Sequence, residues 1–250
     1  MSMISEESKV RQANKDFYNI VGDSYEIIDG RRSASLSKYV NNILSQIVLK
    51  VGPGSILDLG SGSGFVIKLA KEYFNHRYAI DISGVILSKI KEEKILKIIA
   101  EFDHFPLKNN QFNCVVTFAV LHHCFSYEKI FDNIYNALKP GGVYYSDHDL
   151  DSLFFKRFSF FINLYRRVNN VNKRYLSKFC SITQEMYNYS EFHSHGIKTE
   201  YIKRALELTG FKSVECKYHW FGINPFLNVL FGKRSFPKGW APLIRIIAYK

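Results

Sequence analysis

The stretch Ile56-Leu57-Asp58-Leu59-Gly60-Ser61-Gly62-Ser63-Gly64 constrains the fold more than any other part of the chain. An apolar run of strand character ends abruptly in three glycines spaced by serines, and a helical pattern follows. Glycines at such a place let the backbone turn sharply and approach a ligand with no Cβ in the way. A strand, a glycine turn and a helix together form the opening unit of a doubly wound α/β sheet, whose ligands bind at the carboxyl ends of the strands.

The flanking sequence continues that unit. Residues 55–59 read as a strand, 63–74 as a helix, 77–81 as a second strand, 83–94 as a helix and 95–100 as a third strand. A fourth strand is expected over 111–119, a helix over 127–138 ending at LKPGG, and a fifth strand over 142–148. Strands alternating with helices in this way imply parallel βαβ units. Upstream, residues 5–50 are helical in pattern, with breaks near Gly22-Asp23 and Gly30. Downstream, residues 152–180 suit an amphipathic helix or helix pair, followed by polar, loop-like sequence to Gly196. A helix over 199–209 then ends at Gly210, and 211–222 and 242–250 are strand candidates. With no internal repeat and no low-complexity linker, one domain is expected: a helical lid (1–50), a core (51–150), a cap insertion (151–198) and a C-terminal part (199–250) with a second insertion.

What the glycine turn holds can be argued from charge. A dinucleotide-binding turn carries its third glycine five residues after the first, against a pyrophosphate. That position here is Phe65. Asp58, two residues before Gly60, would repel a pyrophosphate but suits a cationic ligand such as S-adenosylmethionine, with its sulfonium and ammonium groups. Asp81 ends the second strand, 21 residues after Gly60, where a carboxylate can accept both hydroxyls of a ribose. Ser83 is the better cap for the helix that follows.

The motifs ILDLGSGSG, YAIDIS, AEFDHFPLKNNQFNCVV, AVLHH and LKPGG, in this order and spacing, resemble those of class I S-adenosylmethionine-dependent methyltransferases. The group that includes the ubiquinone/menaquinone-biosynthesis enzymes is the nearest in character. The resemblance covers roughly residues 50–148. It implies a mostly parallel seven-stranded sheet with an antiparallel last strand, which residues 242–250 would supply. It also implies that Asp58, Gly60, Ser61, Gly62 and Gly64 surround the methionine moiety, and that Asp81 and Ile82 hold the ribose and adenine edge. Glu101 stands where the family has a shorter aspartate on the adenine amino group, so either Glu101 or Asp103 makes that contact, with Phe102 between them. Phe118 and Ala119 flank the methionine. Asp16-Phe17-Tyr18 and Tyr25 resemble the tyrosine-bearing lid helices of related enzymes, and Arg31 or Arg32 would pair with the cofactor's carboxylate or stay solvated. Asn113 replaces an aspartate common in that strand, at the end far from the ligand.

Methyl transfer needs a base only if the acceptor must lose a proton. His122, His123, Asp147, His148 and Asp149 lie at strand ends facing the site, and His123, Asp147 and His148 are the candidate catalytic groups. No metal is expected, although His193 and His195 near Glu191 are the one pairing to test. The four cysteines are widely spaced without a CxxC, as in a reduced cytoplasmic protein. The start of the chain is polar, unlike a secretory signal, and no apolar run is long enough to span a bilayer.

Charge locates the acceptor side. Residues 1–150 hold 17 basic and 17 acidic residues, whereas 151–250 hold 17 basic and 6 acidic, so the whole excess of 11 lies in the last hundred residues. Within 154–179, Phe154, Phe158, Phe161 or Ile162, Tyr165, Val168, Val171, Tyr175 and Phe179 recur at helical spacing between seven basic residues with no acid. Such a pattern suits either a helix lying on an anionic membrane or a cap helix with a solvated basic face. The expected function is therefore methyl transfer to a small-molecule or lipid-like, anionic acceptor, with peripheral membrane contact. RNA methylation, less favoured because no RNA-binding appendage is recognisable, and non-catalytic cofactor binding are the competing readings.

Overall fold

A computed structural model describes residues 5–26, 33–104, 106–168 and 173–250. Seven strands form one sheet: β1 (Ser55–Leu59), β2 (His76–Asp81), β3 (Ile95–Ile99), β4 (Phe112–Phe118), β5 (Leu138–Leu150), β6 (Ser213–His219) and β7 (Leu243–Tyr249). Their order across the sheet is β3-β2-β1-β4-β5-β7-β6. The first five strands are mutually parallel, while β7 runs antiparallel to both β5 and β6. The doubly wound sheet with a reversed last strand is thus as the motifs imply. Its order reverses between β1 and β4, the crevice where such sheets bind ligands.

Alternation along the strands builds the core on both faces. Leu57 and Leu59 of β1 and Tyr144 of β5 face one layer, with Phe131 and Ile134 of α5 (Glu128–Ala137) and Leu206 of α9 (Thr199–Thr209). Ile56 and Tyr145 face the other, with Val40 and Ile43 of α2 (Ala34–Val51) and Ile67 of α3 (Phe65–Leu69). Successive strand residues point to opposite faces, so a strand buried on both sides must be apolar throughout.

Three expectations are corrected. The helix expected over 83–94 is only α4 (Gly84–Leu87), capped by Ser83, whose Oγ accepts the N–H of Ile86. Beyond it Ile90 turns in beneath Gly64, and Glu92 pairs with Arg77 at 2.7 Å, so tertiary contacts override helical propensity. LKPGG ends α5 as expected, with Leu138 as its C-cap, but it also opens β5, which begins at Leu138 and not at 142 and whose pairing with β4 shifts between Phe112 and Cys114. The polar stretch before Gly196 contains α8 (Gln184–Ser190), capped by Thr183.

The segment expected as a lid holds α1 (Glu6–Val21), broken at Gly22 as expected, and α2. The segment expected as a cap holds α6 (Ser152–Val168), kinked at Phe158, then α7 (Lys173–Leu176) and α8. Lid and cap meet in a small core of their own, where Phe17 and Val21 pack on Ile182 and Tyr187. The second insertion holds α10 (Pro225–Phe231). Among the described residues, no helix is long and apolar enough to cross a membrane.

Candidate active site

The turn after β1 is stitched to the neighbouring strand: the N–H groups of Gly60 and Ser61 both donate to the carbonyl of Ile80, at 2.8 and 3.0 Å. Gly60 has φ +77°, and a Cβ there would lie 2.6 Å from Val120; Gly64, at +87°, would meet Ile90 at 2.9 Å. Glycine is therefore required twice over, by conformation and by space. Asp58 is 1% exposed and its Oδ2 accepts the N–H of Ile67 at 3.2 Å.

Asp81 closes the adjacent wall. Gly62 N–H donates to its Oδ2 at 2.9 Å and Ser83 N–H to its Oδ1 at 3.0 Å, which fixes the carboxylate plane and leaves lone pairs for a ligand. Burial pushes its pKa up to about 6, while the backbone donors of Ser83, Gly62 and Ile82 restrain the rise. Ile82, Glu101, Phe102 and Asp103 line the same wall. One residue the sequence did not single out controls this edge: Arg11 of α1 reaches Glu101 at 2.8 Å, Asp103 at 2.6 Å and Glu7 at 2.7 Å. Both acids offered for the adenine edge are thereby tied to the lid.

At the ends of β4 and β5 the backbone is strained. Ala119 (φ +56°) and His148 (φ +70°) are non-glycine residues in left-handed conformation. Such conformations cost about 1–2 kcal/mol each and concentrate at functional sites. Ala119 is held by its N–H on the carbonyl of Asp147 at 2.8 Å, and Phe118 stacks on the His148 ring at 4.3 Å.

The two adjacent histidines part company. His122 Nδ1 lies 2.7 Å from buried Asp149, which also accepts the N–H groups of His122 and Leu121. His123 faces the cleft. Its Nδ1 lies 2.5 Å from the Ser190 carbonyl, which can only accept, so Nδ1 carries the proton and Nε2 is the acceptor for the Tyr18 hydroxyl at 2.9 Å. Burial, reinforced by neighbouring His122, lowers the His123 pKa to about 4, so the ring is neutral at physiological pH. Burial likewise raises Tyr18 well above its ordinary value.

The structure sets Asp147, a catalytic candidate from the sequence, apart from the cleft. It is wholly buried, outside the cleft wall, and bonded to His219 Nε2 (2.8 Å), His148 Nδ1 (2.9 Å), Tyr145 Oη (2.9 Å) and Tyr39 Oη (3.2 Å). Burial alone would raise its pKa, but His219 and His148 hold the carboxyl far below the usual range. It positions His148, which does line the cleft. Among the described residues, His193 and His195 join no cluster of potential metal ligands; those that gather are His122/His123/Glu191 and Asp147/His148/His219, both already cross-linked or in contact within themselves. Tyr25 lines the cleft beside Tyr18, whereas Arg31 and Arg32 lie outside the described residues.

Asp58, the glycine turn, Asp81, Phe118, Tyr18, His123 and His148 border one cleft of about 1750 Å³. Ligand pockets ordinarily measure roughly 300–1,000 Å³, so this one has room for two reactants. Its lining takes in Asp58, the glycine turn, Asp81 and Phe102 from the sheet, and Tyr175, Tyr187, Arg166 and Glu191 from the segment that follows β5.

A sheet of this order, with a buried acid beside a glycine turn and a second acid ending β2, defines the class I methyltransferase fold. Residues 57–146 match the family model described as a methyltransferase domain. Residues 57–146 are thus a methyltransferase domain, in a chain whose fold is that of S-adenosylmethionine-dependent methyltransferases. It is 32% identical over 132 residues to phosphoethanolamine N-methyltransferase 2 of Caenorhabditis elegans, covering 48% of this chain and 30% of that protein. To the ubiquinone/menaquinone biosynthesis C-methyltransferase of Wigglesworthia glossinidia brevipalpis it is 27% identical, covering 54% and 58% respectively. The chain therefore spans less than two thirds of the length of these curated relatives. In fold it is similar to phosphoethanolamine N-methyltransferase 2 of Haemonchus contortus, solved with phosphomonomethylethanolamine and S-adenosylhomocysteine (TM-score 0.57, 17% identity, 99% of this chain and 60% of that one). It is also similar to an S-adenosylmethionine-dependent methyltransferase of Thermotoga maritima (TM-score 0.61, 13% identity, 96% and 99%).

Proposed function

We propose that the chain transfers a methyl group from S-adenosylmethionine to a small, lipid-like acceptor carrying an anionic group. The observation that carries this reading is one cleft lined both by the acid-flanked glycine turn and by aromatic and basic side chains of the segment after β5, with the hydrogen-bonded Tyr18–His123 pair in its wall. When bound, the cofactor supplies a carbon already activated for in-line displacement. Asp58 and the glycine turn would hold its methionine part, Asp81 its ribose hydroxyls, and Ile82 and Phe102 its base. The residues fit this group: Gly60, Ser61 and Gly62 line the cleft with backbone, and the two buried carboxylates of Asp58 and Asp81 suit a cationic ligand.

The chain's remaining task is alignment, water exclusion and handling of one proton. Neutral His123 keeps an acceptor nitrogen on the Tyr18 hydroxyl, so a proton leaving an acceptor N–H or O–H can pass to Tyr18 as the Tyr18 proton passes to His123 Nε2. On the acceptor side, the half-buried guanidinium of Arg166 donates to the Ser194 carbonyl and keeps further donors for an anion.

Transfer of labelled methyl from S-adenosylmethionine to a panel of anionic amphiphiles, phosphorylated amines and tRNA tests the reading. Product with an anionic small molecule or lipid is expected, and its loss in Tyr18→Phe ties it to this cleft. Turnover on tRNA alone, or tight cofactor binding with no product on any acceptor, would replace the proposal.

A further inference from the structure

The fold leaves an apolar surface uncovered beside the cleft. On α6, Phe160, Phe161 and Val168 are 72%, 67% and 70% exposed; on α10, Phe226, Val229 and Leu230 are 72%, 87% and 55% exposed. The two helices belong to one surface. Phe158 of α6 and Phe231 of α10 line a shared aromatic groove of about 440 Å³ with Trp220, Phe236, Pro237 and Trp240. The Arg157 guanidinium lies over the Trp240 ring at 4.6 Å and donates to the Gly239 carbonyl at 3.1 Å, tying helix to loop. The same helices border the mouth of the large cleft, through Tyr165 and Arg167 on one side and Pro225 and Asn228 on the other.

The surrounding charge is of one sign. No acidic residue stands between Asp151 and Glu185, and none follows Glu215. Lys156, Arg167, Lys233 and Arg234 are exposed around the apolar residues. A patch this apolar on a soluble domain marks an interaction site, and its chemistry discriminates between occupants. A second copy would bring basic surface against basic surface. A nucleic acid would use the cations and rings, but not exposed aliphatic Val168, Val229 and Leu230. An anionic bilayer uses all three: aromatic residues settle at the headgroup level, aliphatic tips enter the acyl boundary, and lysines and arginines meet the phosphates.

We propose that α6 and α10 form a membrane-docking face that sets the cleft mouth on an anionic lipid surface. The docking stands whether or not the cleft transfers methyl groups. Only its consequence, that the acceptor reaches the cleft from the bilayer, rests on the function proposed above.

Flotation of the full chain with large unilamellar vesicles tests the face. Binding to vesicles of phosphatidylcholine with about one third phosphatidylserine is expected, weakening steeply with salt and at least about tenfold weaker on phosphatidylcholine alone. Val229→Ser with Leu230→Ser, and separately Phe160→Ser with Phe161→Ser, should each reduce partition about tenfold or more. None of these four borders the cleft, so S-adenosylhomocysteine affinity measured by calorimetry should be unchanged in both pairs, which also verifies folding. Retained cofactor affinity with no vesicle binding in the parent chain overturns the docking and leaves the function intact. A concentration-dependent dimer abolished by the same substitutions, or tRNA binding abolished by them without vesicle binding, overturns it in favour of that partner.

Discussion

Lowering the pH should weaken cofactor binding through Asp81, and the size of the effect follows from the structure. The carboxylate is buried, its pKa is raised to about 6, and both oxygens already accept backbone N–H groups. Only the ionised form accepts at both oxygens, so a ligand donating two ribose hydroxyls binds that form preferentially. Affinity is therefore present above the folded pKa and lost as the pH falls through it. With the group near 6, the carboxyl is almost fully ionised at pH 7.5 and about one tenth ionised at pH 5. The dissociation constant should accordingly rise about tenfold, or about 1.4 kcal/mol, over that interval. Calorimetric titration of S-adenosylhomocysteine across the range measures it directly. Asp81→Asn is the control: it should bind at least about tenfold more weakly at pH 7.5, and its affinity should vary little with pH. A parent curve flat between pH 5 and 7.5, or one that Asp81→Asn reproduces, would refute the reasoning.

The remaining expectations follow from single contacts. Gly60→Ala places a Cβ 2.6 Å from Val120 at φ +77°, so strain and overpacking should cost about 2–4 kcal/mol; thermal unfolding would show the loss, and an unchanged midpoint would contradict it. Tyr18→Phe leaves the buried His123 Nε2 without its donor, which should cost about 1–3 kcal/mol of stability. Its methyl-transfer rate should fall more than its cofactor affinity, as steady-state kinetics beside calorimetry would reveal. Asp147→Asn removes a buried charge that holds two histidines and two tyrosines, and should destabilise the chain by about 3 kcal/mol or more in denaturant unfolding. Since Asp147 lies behind the cleft wall, cofactor affinity measured on the remaining folded protein should change far less.

The glycine turn and its flanking acids were legible in the sequence because their determinants are local. Gly60, Gly62 and Gly64 all have positive φ, and Asp58 and Asp81 are fixed by strand ends a few residues away. Ser83 as a cap and Gly210 as a helix stop are equally local and stand where expected. What depends on distant partners was not legible. Arg11 gains meaning only when α1 lies across Glu101 and Asp103, some ninety residues away. The distinction between His122 and His123 needs Asp149, Ser190 and Tyr18, supplied by three separate segments. Asp147 looked like a cleft group because strand ends face the ligand, but a register shift beside it in the β5–β7 pairing accompanies its turn into the interior, with His148 taking left-handed φ. The amphipathic pattern of 154–179 gave the cap helix but not which apolar residues are buried. Phe154 packs inward on Trp220, whereas Phe161 and Val168 of the same series stay outside. The neighbour Phe160, outside that series, is exposed too.

On this reading, the acid-flanked glycine turn between β1 and α3 holds a cationic thioether nucleoside and not a phosphate-bearing one. Competitive calorimetry on the purified chain, with S-adenosylmethionine, S-adenosylhomocysteine, NAD and ATP, distinguishes the two. Saturable one-to-one binding of the first two, lost in Asp81→Ala and undisturbed by excess NAD or ATP, is the outcome expected. Uptake of NAD or ATP with indifference to both sulfur nucleosides would contradict it.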